Sequence, residues 1–268
     1  MHINRVKKAL KEGKLQVGCS FAQLRSPEAA TILGKAGFNW TYLDSEHGGF
    51  DLETLQDLCR AAIGAGLAPI VRVADVQYNL IARALDCGAM GILLPRIESP
   101  EVLARAVSWM FFPPVGVRGY GLTGSHLEYE PLTIPQILEH LNVNTMATFQ
   151  IETKAAVDRR EELLSVPGID AVMVGPADLS ISLGIPGEFE NPKLVEAIEK
   201  VVESCRNHGV ASGIHMRSVA LARFWKERGM TFISTGNETQ FLFEKAAETV
   251  EAMRAENRNA SIGAGEKL

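Results

Sequence analysis

From about residue 15 to residue 257, short apolar runs rich in β-branched residues alternate with longer segments whose apolar positions recur every three or four residues. The runs have the length of buried strands, and the longer segments have the period of helices packed by one face. Eight runs stand out, at 15–21, 38–44, 69–73, 91–95, 146–151, 169–175, 211–216 and 231–235. Between them, Leu52, Leu55, Leu58 and Ala62 share one helix face, and Leu194, Ile198, Val201, Val202 and Cys205 share another. Gly37, Gly66, Gly88, Gly168, Gly209 and Gly229 stand where such segments stop, the place at which a left-handed residue commonly closes a helix. Strands alternating with helices build a parallel sheet, and eight such units favour closure into an α/β fold of the (β/α)8 TIM-barrel type over an open sheet.

No linker, low-complexity tract or strong 20–50-residue repeat interrupts this rhythm, so residues 1–257 read as one barrel domain and 258–268 as a frayed tail. The length of 268 residues suits a single barrel. Residues 113–135 break the pattern: they are rich in Gly and Pro and too long for a simple turn, which marks a functional loop.

Composition narrows function mainly by exclusion. With 46% hydrophobic residues and a net charge of −5, the chain has no electrostatic footprint for nucleic acid. Its N-terminus lacks an apolar h-region, and no stretch approaches the about 18 apolar residues that span a bilayer, so the expectation is a cytoplasmic protein with no membrane partner. Cys19, Cys59, Cys87 and Cys205 form no C-x-x-C pair and read as small buried apolar residues.

In a TIM barrel the chemistry gathers at the C-terminal ends of the strands, which singles out Asp44, Glu46 and His47 after the second run, Arg72 in the third, Gln150 and Glu152 at the fifth, and Asp178 after the sixth. Hard oxygen donors such as Glu152 and Asp178, without Cys or paired His, suit Mg²⁺, Mn²⁺ or a similar divalent ion; ordinary salt bridges are the alternative. Arg72 lies among apolar neighbours and needs an anion, either an ion pair with Asp44 or Asp86, or a substrate carboxylate held bidentately. His47 is either a general base or a polar surface residue. PPVGVRGYG (113–121) lacks the dinucleotide-binding register and follows a helical segment.

Taken in order, LDSEHGGFD (43–51), PIVRV (69–73), LDCGAMGILLPRIESPE (85–101), PPVGVRGYG (113–121), QIET (150–153) and VGPADLSISLGIPG (174–187) resemble the HpcH/HpaI aldolase family of the phosphoenolpyruvate/pyruvate barrel superfamily. The resemblance runs from about residue 15 to 250. It implies a class II pyruvate aldolase, in which a divalent metal ion (Mg²⁺, Mn²⁺ or Co²⁺) lies on Glu152 and Asp178 and the partners are pyruvate and a small aldehyde. By the same resemblance Arg72 steadies pyruvate, His47 does acid–base work, Asp86 pairs with that histidine, Asp44 lies near the arginine, and Gln150 with the backbone around Ala177 lines the pyruvate end. No lysine occurs in the eight runs, which agrees with metal rather than Schiff-base chemistry. The 113–121 stretch is expected beside the active-site mouth.

The resemblance further implies a homo-oligomer, a trimer or hexamer, with an exchanged C-terminal helix supplied by the apolar 241–253 stretch; a helix packed within its own chain would look the same. A citrate-lyase or malyl-CoA type lyase and a non-catalytic metabolite-binding barrel are the competing readings. Departures from the family concern the aldehyde half. Members often carry a small apolar run where this chain has His215, Met216 and Arg217, and usually an aspartate at Asn237; the loop 122–132, with His126, Glu128, Tyr129 and Glu130, is also distinctive. Arg217 either favours an acceptor with a distal carboxylate or forms a surface ion pair.

Overall fold

The computed structural model describes residues 1–121 and 128–255. The tail at 258–268 and positions 122–127 of the distinctive loop, His126 among them, lie outside the described residues. The first half of the chain runs α1 (Arg5–Lys11), β1 (Gln16–Phe21), α2 (Pro27–Lys35), β2 (Trp40–Asp44), α3 (Leu52–Gly64), β3 (Ala68–Arg72), α4 (Tyr78–Asp86), β4 (Gly91–Leu94), α5 (Pro100–Ser108) and α6 (Ile134–Asn144). The second half runs β5 (Met146–Ile151), α7 (Lys154–Asp158), α8 (Arg160–Leu164), β6 (Ala171–Val174), α9 (Pro176–Ser182), α10 (Pro192–His208), β7 (Ala211–Met216), α11 (Val219–Glu227), β8 (Phe232–Asn237) and α12 (Glu238–Arg254). All eight strands are parallel, each pairs with its sequence neighbour, and β1 pairs with β8, so the sheet closes into a single-domain TIM barrel. Every run expected from the hydrophobic pattern is a strand of this barrel, and the six helix-closing glycines all take positive φ.

Side chains alternate across each strand, and this alternation divides the apolar residues into two cores. Outward-facing positions such as Leu43, Val71, Ile92, Phe149, Val172 and Ile214 pack under the helices. The inward-facing ones, Trp40, Tyr42, Ile70, Leu93, Met146, Met173 and Phe232, fill the barrel, where Val6 and Leu10 of α1 join them. α1 caps the end at which the strands start, and Lys7 there donates to the Thr145 carbonyl (2.6 Å) and pairs with Asp170 (3.1 Å). Because apolar side chains fill this end and the middle of the barrel, only its other end has room for polar chemistry.

The largest interior side chain fits by virtue of a glycine. Trp40 is fully buried, stacks on Phe232 with ring centroids 3.9 Å apart, and lies so close to Gly18 that a Cβ there would come 2.3 Å from the indole. α12 behaves differently from the other long helices: Glu238 is its one buried residue, and Leu242, Phe243 and Met253 are 62%, 73% and 83% exposed. No described helix is long and apolar enough to cross a membrane.

Gly18→Ala should therefore overpack the barrel and lower stability by about 1–3 kcal/mol. Gly64→Ala, at the end of α3 where an added Cβ meets nothing within 4 Å, should instead stabilise by about 0.5–1 kcal/mol. Urea midpoints at unchanged m-value measure both.

Candidate active site

Asp44 and Arg72 end adjacent strands, are partners in the β2–β3 register, and share the inward-facing phase. Their side chains meet in a bidentate pair, Nε to Oδ1 at 2.9 Å and Nη2 to Oδ2 at 2.6 Å. The free edge of the guanidinium, Nη1, lies 3.1 Å from Glu46 and donates to Gln150 Oε1 at 3.3 Å. Burial alone would raise the pKa of Asp44, but the Arg72 bonds and the backbone N–H groups of His47 and Glu46 outweigh it and hold the carboxyl below the usual range. Burial likewise works against the Arg72 charge, and Asp44 more than restores it.

Three further carboxylates lie nearby, Glu46 against that edge, Glu152 within its electrostatic reach, and Asp178 exposed at the cavity wall. Glu152 follows β5 and is buried, with Oε1 accepting the backbone N–H of Arg96 at 2.8 Å. To present that N–H, Arg96 adopts a left-handed backbone with φ of 53°, uncommon for a residue with a Cβ. Gly175 leaves the space on the other side: a Cβ there would sit 2.8 Å from both Cβ and Oε2 of Glu152. Asp178, in the first turn of α9, lines the same cavity. Burial raises the pKa of Glu152, and the charges of Glu46 and Asp178 push it further; burial also raises Glu46. Glu46 Oε2 is buried and accepts no hydrogen bond, although the Arg72 guanidinium lies beside it.

This excess of negative charge, buried at Glu152, half-buried at Glu46 and exposed at Asp178, with the buried Oε2 of Glu46 accepting no hydrogen bond, fits a hard divalent cation. Among the described residues no three of His, Cys, Asp and Glu converge into a closed metal cluster. A cation here would thus have few protein ligands and open positions for water and substrate oxygens.

The cavity holding these groups is roughly 760 Å³ and extends across the mouth of the barrel to β7 and Arg217. His47 lines it, largely exposed, with Nε2 3.9 Å from Glu46. On the far wall His215 bonds Ser234 Oγ through Nδ1 at 2.8 Å and meets the Tyr42 ring edge-on. Burial, with Arg72 and Arg217 adding to it, pushes the His215 pKa down to about 4, so the imidazole is neutral near pH 7.

The model of the HpcH/HpaI aldolase/citrate lyase family matches residues 17–244. This chain belongs to that family. It is 36% identical over 235 residues to the 5-keto-4-deoxy-D-glucarate aldolase of Klebsiella pneumoniae, spanning 88% of this chain and 91% of the relative. The crystal structure of an HpcH/HpaI aldolase from Desulfitobacterium hafniense superposes with a TM-score of 0.88 at 30% identity, covering 93% of this chain and 96% of that one. A family member from Burkholderia cenocepacia gives 0.87 at 30% identity, with 94% and 100% covered. These likenesses support an aldolase, a carbon–carbon lyase.

Against the family pattern, the structure brings Asp44, His47, Arg72, Gln150, Glu152, Ala177 and Asp178 to one cavity. It does not bring Asp86 there. Asp86 ends α4, which runs back from the top of β3 towards the start of β4, and its carboxylate binds Arg118 at 2.6 Å. Within one chain the expected Asp86–His47 pair is therefore replaced by Asp86–Arg118, because the helix places the two residues at opposite ends of the barrel. The described part of the 113–121 stretch goes with it: Val117 and Arg118 bond back to Ser108 and Phe111 rather than bordering the mouth.

Sequence reasoning noted Glu46 as a strand-end acid but gave it no role; its signal was its place between Asp44 and His47. Arg96 and Gly175 left no such signal, since one acts through its backbone and the other through a missing Cβ.

Gly175→Ala should displace the Glu152 carboxylate, reduce activity by about 10–100-fold, the scale for groups that orient a ligand, and lower stability by about 1–3 kcal/mol through the close contact with the Glu152 Cβ. His215 gives a pH signature. Between about pH 6.5 and about 4 the unfolded chain binds a proton that the folded one refuses, so stability fully present above about pH 6.5 is lost as pH falls through the window. The loss is up to about 3 kcal/mol, and His215→Gln should flatten that slope in denaturant midpoints measured across the window.

Proposed function

We propose that this protein is a metal-dependent, class II pyruvate aldolase that reversibly cleaves 4-hydroxy-2-oxo acids, sugar-derived ones included, to pyruvate and a small aldehyde. The observation that carries this reading is the buried Arg72 edge beside Glu46, in a cavity also lined by Glu152 and Asp178. A positive fork beside surplus carboxylates suits a 2-oxo acid bound jointly with a cation. No lysine lines the described cavity or lies in a strand, so a Schiff-base route has no amine to use. The name of the Klebsiella relative, a keto-deoxy sugar acid aldolase, agrees with the substrate class.

Glu152 and Asp178 would hold Mg²⁺, Mn²⁺ or Co²⁺. When bound, such an ion supplies Lewis-acid stabilisation of negative charge developing on a 2-keto oxygen. Arg72, fixed in the plane of Asp44, offers Nη1 to the carboxylate and keto oxygens of the pyruvate half, with Gln150 holding the same edge. The backbone around Ala177 borders that half. In cleavage His47 takes the proton of the 4-hydroxyl, the bond between C3 and C4 breaks, and its electron pair passes to the pyruvate half as an enolate that is then protonated on carbon. Asp44 acts by orienting Arg72, and Asp86 has no place in this scheme within a single chain.

The outward apolar face of α12, with Leu242, Phe243 and Met253 uncovered, further supports a homo-oligomer, a trimer or hexamer in which that helix packs on another copy. A monomeric mass in solution would overturn the assembly.

The enzymatic reading is tested with metal-stripped protein, pyruvate and an aldehyde panel. Product should appear when Mg²⁺, Mn²⁺ or Co²⁺ is restored, and its absence for every aldehyde would sink the reading. Glu152→Gln and Asp178→Asn should each cost about 100-fold or more in kcat, the scale of a lost charge stabiliser. Arg72→Ala should lower turnover strongly and, by leaving Asp44 buried without its partner, also cost about 3–5 kcal/mol of stability, read from denaturant midpoints.

A further inference from the structure

Three consecutive backbone N–H groups after β1, those of Ala22, Gln23 and Leu24, converge on one oxygen, Glu238 Oε1, at 2.9, 2.5 and 3.0 Å. Successive N–H groups turned to one point make a concave site for an anion, and here the chain supplies the anion itself. Glu238 is the first residue of α12 and is buried. It is not the cap of its own helix, because Asn237 Oδ1 accepts the Gln240 N–H at 2.7 Å. Its carboxylate serves a connection more than two hundred positions earlier in the chain.

Glu238 acts from a fixed base. Gly236 takes a φ of 63°, and its missing Cβ leaves room for Phe241, whose ring would otherwise meet it at 2.4 Å. Phe241 in turn stacks on Phe38 with ring centroids 5.8 Å apart. The first turn of α12 is therefore anchored, although Leu242, Phe243 and Met253 further along are uncovered.

The held connection leads to the loop that carries His47. Ala22 and Gln23 line the same cavity as His47. Ala22 turns its N–H to Glu238 and has its carbonyl oxygen beside Gly48: a Cβ on Gly48 would come 2.8 Å from that oxygen and 2.1 Å from the Asp44 carbonyl oxygen. The chain on either side adds two ties, since Arg25 Nη2 donates to the Gly49 carbonyl at 3.0 Å and the Phe21 and Phe50 rings lie 6.3 Å apart. His47 is itself largely exposed, so its place depends on the backbone that bears it. Arg72, Gln150 and Glu152 are held by other groups, Asp44 and the Arg96 N–H among them.

We infer that Glu238 is a positioning residue for the His47 loop: it touches no substrate, and acts by holding the 22–24 backbone against which residues 47–50 rest. The inference depends on the aldolase reading for the work His47 does, and adds how that histidine is kept in place.

Three substitutions test it. Glu238→Ala leaves the three N–H groups without their acceptor. Glu238→Gln keeps an oxygen at the same reach, and because Oε2 accepts no hydrogen bond, an amide nitrogen in its place breaks none. Glu238→Asp shortens the reach by one methylene and takes the place of the alanine variant should that one not fold. In metal-loaded protein with pyruvate and either glycolaldehyde or succinic semialdehyde, Glu238→Ala should lower kcat by about 10–100-fold, the scale of a small misplacement of a reacting group. Pyruvate Kd by calorimetry should change by less than about 3-fold, and Glu238→Gln should keep kcat within about 3-fold of the parent protein. Hydrogen exchange should accelerate by about 10-fold or more in Glu238→Ala, both at 22–24 and at 46–50, while β4 to β6 keep their protection. An unchanged kcat, an equal loss of pyruvate binding, a glutamine variant as impaired as the alanine one, or faster exchange confined to 22–24 would overturn the inference. If neither aldehyde reacts in the parent protein, the aldolase reading falls and exchange alone decides: joint loss of protection at 22–24 and 46–50 sustains the coupling, and loss at 22–24 alone rejects it.

Discussion

The bidentate pair between Asp44 and Arg72 is the interaction on which the mouth of this barrel depends. A guanidinium nine-tenths withdrawn from water is tolerable only if its donors are matched, and Asp44, the register partner on the next strand, matches two of them. With Nε and Nη2 committed, the orientation of the ring of donors is set, and Nη1 is left facing Glu46 and Gln150. Removing either partner would strand a buried charge, which explains how a strongly polar group persists directly above a core of Tyr42, Ile70 and Leu93.

Around that fixed edge the barrel concentrates acids rather than neutralising them. Glu46 and Asp178 raise the cost of ionising Glu152, and the groups that hold Glu152 in place are a backbone N–H at a left-handed residue and the empty side of a glycine. A site assembled solely for stability would not keep a carboxylate oxygen buried without a donor, or spend backbone strain at Arg96 to aim a neighbouring one. Such arrangements belong to a site completed by a ligand.

Much of this was legible in the chain itself. Strand and helix periods are local, so eight alternating units, the six helix-closing glycines and the strand-end positions of Asp44, Arg72, Glu152 and Asp178 follow from residues a few places apart. The ordered motifs from residue 43 to 187 carried the family as well. What could not be read locally was which strand-end groups touch. Asp86 stands close to the family's motif in sequence, yet the path of α4 takes it to Arg118 and away from His47.

The chain by itself determined the number of units, the phase of each strand and the chemical types available at the barrel mouth, because those depend on short-range periodicity. Tertiary structure alone decided that Arg72 bridges Asp44 and Gln150, 28 and 78 positions away, that Arg96 serves Glu152 through its backbone, and that Arg217 finds no acid among the described residues. Those outcomes depend on closing the sheet between β1 and β8, which brings distant strand ends around one cavity and leaves each charge with whichever neighbours the ring supplies.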